Sequence, residues 1–336
     1  MIKISKRVIL IVIVVLFLGW VYTNYQFTSN ASSDTAMYEF EVEQGWGVNR
    51  ISLELYQKDL INNQFYFEVY VWLKGYERNF KAGAHQISPS MSIKEIITTM
   101  IKPGGSEQVI TIIEGWNVYE IAEYLEKENL VKSDEFIEFV NNPKHDLVDN
   151  YSFLDDKPYG VSLEGYLFPD TYRVYKNSNV IDLVKKMLDN FEKRVTLGNI
   201  ERIHFSGNSV YDTLTLASII EKEVRIPYDM KMVSDIFSKR LEAGIALQSD
   251  ATVNYITGKG LVQPSYNDLE IDNPYNTYRY KDLPPGPIAS PGLNAIMAVI
   301  EPVVNPYYYF LTTIEGEVIY SENYDQHLTN KAIYLD

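Results

Sequence analysis

The stretch "LTLASIIEKEVRIP", Leu214 to Pro227, decides how the second half of the chain is read. Placed on a helix at about 100° per residue, Leu216, Ile219, Ile220, Glu223 and Ile226 share roughly a third of the circumference. Glu221 falls on the far side with Leu214 and Ser218. Glu223 therefore stands where apolar residues stand. Pro227 ends the helix, so Glu223 occupies its last turn, beside unpaired carbonyls and the negative end of the helix dipole. Burial and that dipole both raise a carboxyl pKa. A carboxylic acid that keeps its proton near neutral pH is what general acid catalysis requires. The plainer reading is a glutamate paired with an internal arginine or capped by a loop.

Working outward, a second amphipathic helix is expected from about Asp229, with Met232, Val233, Ile236, Phe237 and Leu241 on one side and Gly244 as its stop. A long irregular stretch follows, from "LQSDATVNYITG" through "NPYNTYRYKDLPPGPIASPG". Structureless segments of that length in a compact domain usually form a functional surface. This one carries Gln248, Asp250, Asn276, Thr277 and Tyr278, and amides and aromatics at such density suit sugar hydroxyls and sugar faces. Ser290-Pro291 is expected to cap a helix through Ile300, "YYYFLTTIEGEVIYS" to form a hairpin turning at Glu315-Gly316, and residues from about Gln326 to Ile333 to form a last helix. Upstream, helical periodicity covers Val180 to about Val195, after a loop-rich region that ends in "LEGYLFPDTYRVY", Leu163 to Tyr175.

The segments from Gly45 and from Gly115 echo one another. Gly45-Trp46, Val48, Ile51, Leu55 and Leu60-Ile61 match Gly115-Trp116, Val118, Ile121, Leu125 and Leu130-Val131. Each copy reads as a short strand, a turn and an amphipathic helix, giving two small α+β units in tandem. Between them a strand, a turn and a helix capped by Ser92 with Glu95 are expected. At the amino terminus Lys3, Lys6 and Arg7 precede the apolar run Val8 to Tyr22. A cleaved signal peptide competes with a membrane anchor for this segment, but no A-x-A site follows, and Trp20, Tyr22 and Tyr25 resemble an interfacial aromatic belt. The expectation is a cytoplasmic tail at 1–7, a transmembrane anchor at 8–25 and a linker at 26–36, with the remainder outside the cytoplasm.

Composition excludes several classes. A net charge of −15 over 336 residues argues against a nucleic-acid partner, and the absence of cysteine removes disulfides, thiol nucleophiles and thiolate metal sites. None of the four histidines begins an H-E-x-x-H motif, and neither a G-x-S-x-G elbow nor a phosphate-binding glycine loop occurs. No metal and no cofactor is expected.

Four segments, "EGYLFPDTY" (164–172), "LASIIEKEV" (216–224), "LQSDATVNY" (247–255) and "NPYNTYRYKDLPPGPIASPG" (273–292), resemble the endolytic murein transglycosylase family, also called MltG or YceG-like. The likeness runs over nearly the whole chain, with Val224 standing where the family often has a hydroxyl residue. It implies an α+β chain: a transmembrane helix, a LysM-like α+β subdomain at 37–105, and a mixed α/β catalytic domain at 106–336 with its acid at a helix C-terminus. That acid is the second glutamate of the E-K-E triplet, Glu223. It also implies a substrate, peptidoglycan glycan strands, with a peptidoglycan synthase or division or elongation proteins as possible partners. In lytic cleavage the C6 hydroxyl of MurNAc attacks its own C1, leaving a 1,6-anhydro end, so one residue can serve as acid and then base. Gln248, Asp250, Asn276, Thr277 and Tyr278 are expected to position the sugars. Two alternatives stay open at this point: a water-using muramidase with Asp250 as second carboxylate, and a non-catalytic wall-binding scaffold.

Overall fold

The computed structural model describes residues 6–101, 107–143, 145–176, 178–261 and 263–335. They divide into two compact units, one drawn from residues before 109 with 174–178, the other from 109–173 and 179 onward. The expected boundary between 105 and 106 lies outside the described residues, as do residues 1–5 of the expected cytoplasmic tail.

In the first unit, helix α1 (Lys6–Thr28) is followed by strand β1 (Tyr38–Val42), helices α2 (Val48–Gln57) and α3 (Gln64–Lys74), strand β2 (Gly83–Ile87) and helix α4 (Ile93–Ile101). β1 and β2 pair antiparallel, Tyr38 opposite Ile87 and Val42 opposite Gly83. Alternation along the strands turns Phe40, Val42 and Ile87 inward onto Ile51, Leu55, Phe67, Val71, Ile96 and Ile97. The cap of α4 forms as expected: Ser92 N–H donates to Glu95 Oε2 at 2.8 Å and Glu95 N–H to Ser92 Oγ at 3.3 Å.

The linker expected at 26–36 is not a free tether. α1 continues to Thr28, and Phe27 is buried with its ring edge-on to Tyr70 at 4.9 Å. Beyond the helix, the N–H groups of Ala31 and Ser32 both donate to the Pro89 carbonyl at 2.9 Å, and Asn62 Nδ2 donates to Asn30 O at 2.8 Å. Polar residues that read as solvated are satisfied here by the unit's own backbone. The apolar run Val8–Tyr22 lies within α1; among the described residues no helix is long and apolar enough to cross a membrane.

The second unit is mainly helical. Helices α5 (Val118–Lys127), α6 (Ser133–Asn141) and α7 (His145–Val148) precede α8 (Val180–Arg194), α9 (Leu197–Phe205), α10 (Val210–Glu223) and α11 (Pro227–Glu242). Then come α12 (Asp250–Thr257), α13 (Tyr266–Leu269), α14 (Leu293–Ile300) and α15 (Tyr324–Tyr334). The remaining strands occur in pairs: β3 (Glu107–Thr111) with β4 (Thr171–Tyr175), each with its larger part in this unit, and the antiparallel hairpin β5 (Tyr309–Thr312) with β6 (Val318–Ser321). Among the described residues no larger sheet forms, so the chain is α+β and the expected mixed α/β domain is a helical unit with small ladders. Both copies of the internal echo fold alike, turning through a positive-φ glycine, Gly45 at 89° and Gly115 at 79°, into a helix that opens at Val48 or Val118.

Helix α10 is the axis of this unit, and it differs from the expected amphipathic helix. From Val210 to Ile220 only Asp212 escapes burial, so Leu214 and Ser218 are as enclosed as Ile219. α9, α11, α12 and α14 pack around it. Pro227 does not stop α10 directly; it opens α11 at a first-turn position, where its missing N–H costs nothing.

Candidate active site

Glu223 is the last residue of α10 and is half-buried. Burial, with a smaller contribution from the neighbouring Asp250 carboxylate, pushes its carboxyl up to about 7, and a hydrogen bond from the Ser249 hydroxyl opposes the rise. That bond runs from Ser249 Oγ to Glu223 Oε1. Among the described residues nothing donates to Oε2, so it is the oxygen left to face a substrate. Ser249 sits at the N-cap of α12, yet its side chain makes no cap hydrogen bond. A serine there ordinarily serves its own helix; this one serves the acid.

The segment that places Ser249 is over-determined. Gln248 adopts a left-handed φ of 56°, costly for a residue with a side chain. Its N–H donates to Thr277 O at 3.0 Å and its Oε1 accepts from Arg240 Nη2 at 2.7 Å. Arg240 is buried and also donates to the carbonyls of Ala246 and Tyr308. Ser249 N–H donates to Thr277 Oγ1 at 3.0 Å, and Thr277 Oγ1 lies 2.9 Å from Thr252 Oγ1. Asp250, the first residue of α12, accepts from the Tyr278 hydroxyl at 2.6 Å. Burial first, then that bond, pushes the Tyr278 phenol well above its ordinary value.

Of the residues expected to hold sugars, three stay at the site's surface: Asp250 and Tyr278, half-buried, and Gln248, exposed. Asn276 and Thr277 do not. Both are fully buried, and Asn276 Nδ2 donates to the Leu269 and Ile271 carbonyls at 2.9 Å each, while its Oδ1 accepts from Tyr278 N–H at 3.1 Å. They hold the turn that presents Tyr278 and cannot meet a sugar without unfolding it. Part of the stretch read as irregular is helical, α12 and α13.

Glu221 is not a free outward-facing residue either. Burial raises its pKa, and its Oε2 accepts from Gly292 N–H, the N-cap of α14, at 2.9 Å. A Cβ at Gly292 would fall 2.1 Å from Glu114 Oε1, so a larger residue there would displace the exposed Glu114 side chain. The expected cap at Ser290-Pro291 is thus shifted to Gly292. Ser290 instead exchanges backbone hydrogen bonds with the Gly115–Trp116 turn, at 2.9 and 2.7 Å.

Two contributors to the site, Ser249 and Arg240, escaped the sequence reading, as did the buried acid Glu164 elsewhere in the unit. Ser249 lies between two residues that were singled out, but as a helix N-cap it has a sufficient structural explanation. Arg240 gave no signal beyond a basic residue in the last turn of a helix. Glu164, in "EGYLFPDTY", is a buried acid pushed by desolvation up to about 8. Its Oε2 accepts from Val118 N–H at 3.0 Å, and its Oε1 has no partner among the described residues. Among the described residues no cluster of acids and histidines is suited to a metal ion.

A half-buried carboxyl held by a hydroxyl and flanked by a carboxylate that a phenol holds makes up the candidate site on an α+β scaffold. The chain belongs to the YceG-like family, whose model matches residues 40–333. It is 33% identical over 305 residues to the endolytic murein transglycosylase of Bacillus subtilis, an alignment covering 88% of this chain and 84% of that one. The Streptococcus pneumoniae protein of the same name is 29% identical over 321 residues, and the alignment spans 88% of this chain but only 58% of that longer relative. A crystal structure of a yceG-like protein from Listeria monocytogenes superposes with a TM-score of 0.61 at 30% identity, covering 89% of this chain and all of that one.

Proposed function

We propose that the chain is a peptidoglycan lytic transglycosylase that cuts the MurNAc to GlcNAc β-1,4 bond within glycan strands, with Glu223 as the catalytic residue. The observation that carries the reading is the setting of Glu223: it closes α10, Ser249 takes Oε1, and burial raises its carboxyl to about 7, which favours the protonated acid. Oε2–H donates to the glycosidic oxygen as the C1–O bond breaks. The resulting carboxylate then takes the C6 hydroxyl proton as that oxygen bonds C1, so the acid is regenerated and no water enters. Asp250 and Tyr278 stabilise positive character at the sugar and fix its approach. The names of the relatives support the substrate class.

Two observations bear on the alternatives. A hydrolase needs a second carboxylate to activate water; Asp250 neighbours Glu223 and gives only Oδ1 to the Tyr278 hydroxyl, so the products distinguish the two chemistries. A pure binding scaffold gives no reason for an N-cap serine to abandon its helix for an acid. The antiparallel strand–helix–helix–strand of β1, α2, α3 and β2 supports a LysM-like, glycan-binding role for the first unit. We further propose that the apolar run in α1 anchors the chain in the cytoplasmic membrane with the two units outside. There it would act on nascent strands beside a synthase and end their elongation. Mass spectrometry of digested glycan separates the chemistries: anhydro ends support lytic cleavage, reducing ends a muramidase, and no release a scaffold.

A further inference from the structure

A surface helix of a soluble unit is apolar on the side it buries and polar on the other. α3 is apolar on both. Phe67, Tyr70 and Val71 enter the core, whereas Phe65, Trp72 and Leu73 are exposed and Tyr66 and Val69 half-buried. At about 100° per residue, Phe65, Tyr66, Val69, Trp72 and Leu73 occupy a single arc of roughly a third of the circumference. Trp72 is 69% and Phe65 64% exposed, which leaves two of the largest apolar side chains in water. Contiguous exposure of this kind marks an interaction surface.

What covers it follows from its neighbour. The last turns of α1 pack on α3: Tyr22 meets Tyr66 edge-on at 6.2 Å, Phe27 meets Tyr66 at 6.5 Å, and Phe65 stands edge-on to Tyr66 at 5.4 Å. The apolar face of α3 thus continues the aromatic end of α1, where Trp20, Tyr22 and Tyr25 are also exposed. Because 26–36 are pinned to the same unit, α3 cannot drift away from the foot of α1. We propose that Phe65, Val69, Trp72 and Leu73 of α3 seat in the headgroup and acyl boundary of the bilayer that α1 enters, a second, in-plane membrane contact that fixes how the first unit is held at the surface. Aromatic residues favour that depth, and a helix face of this composition binds it. The inference rests on the membrane reading of α1.

The chain has no cysteine, so single nitroxide labels can be placed without background. The full chain is reconstituted in phosphatidylglycerol and phosphatidylethanolamine vesicles with Trp72→Cys, Phe65→Cys, Val69→Cys, Trp20→Cys or, as a solvent control, Glu77→Cys. Collision rates with oxygen and with a polar nickel chelate are then read. The expected result is a lipid-like excess of oxygen collisions at 72, 65 and 69 as well as at 20, with 77 water-like; the three α3 labels report independently if one variant fails to fold. Water-like values at 65, 69 and 72 with a lipid-like value at 20 overturn the second contact while leaving the anchor. Water-like values at 20 as well overturn both. Shielding from both reagents with spin–spin broadening identifies a second copy of the chain as the occupant and overturns the proposal.

Discussion

Ser249 donates its hydroxyl hydrogen bond to Glu223 and leaves the first turn of its own helix without a side-chain cap. The bond favours the ionised acid and works against burial, so Ser249 trims the Glu223 pKa rather than creating it. Ser249→Ala should therefore raise that pKa further, since it removes a hydrogen bond to the charged form. It should also slow turnover roughly 3- to 30-fold by freeing the carboxyl to rotate. A pH–rate profile checks both; a limb that moves down or stays put would contradict the role given to Ser249.

In the unaltered enzyme the acid must begin protonated. Activity should be full below about 7 and fall as pH rises through that value, with one proton lost on the descending limb. Rates on purified glycan across pH 5 to 9 give the limb directly, and an inflection near the ordinary glutamate value of about 4.3 would remove the case for a tuned acid.

Glu164 makes a separable prediction about stability. Its carboxyl is raised to about 8 in the fold, so the folded chain holds a proton that the unfolded chain gives up near 4.5. Between those values the native state binds more protons, and stability should fall as pH rises, by a few kcal/mol at most. Glu164→Gln should flatten that slope in urea titrations at pH 5 and 8; an unchanged slope would place the titration elsewhere.

Glu221 and Glu223 are two residues apart and do different work. Glu221→Gln keeps an oxygen for Gly292 N–H and should retain most activity. Glu221→Ala orphans that N–H at the start of α14 and should cost about 1–3 kcal/mol, lowering Tm by roughly 2–4 °C per kcal/mol. Calorimetry checks it, and an unchanged Tm would show that the contact contributes nothing.

The sequence carried the position of Glu223, since a carboxylate one turn before a proline is visible without coordinates. Which face of α10 is buried is not visible in the same way. A helix with Thr, Ser and Leu around its whole girth reads as amphipathic, yet Thr215 and Ser218 return their hydroxyls to the Tyr211 and Thr215 carbonyls and can be buried anywhere on α10. The same ambiguity sent Asn276 and Thr277 to the sugars, because an amide or hydroxyl that satisfies a buried loop has the same composition as one that meets a ligand. At 26–36 the structure adds what composition does not show: the N–H groups of Ala31 and Ser32 meet the Pro89 carbonyl, while residues 32–36 stay exposed.

Replacing Glu223 by Gln tests the central claim most directly. The swap keeps size and an acceptor for Ser249 while removing the proton donor, and the loss of general acid and base catalysis is expected to cost at least about 10² to 10⁴ in rate. Peptidoglycan digested by the full chain should yield 1,6-anhydro ends, and the Glu223→Gln chain, folded and still binding glycan, should release none above background. Anhydro products from Glu223→Gln at an undiminished rate would contradict the assignment of Glu223 as the catalytic acid.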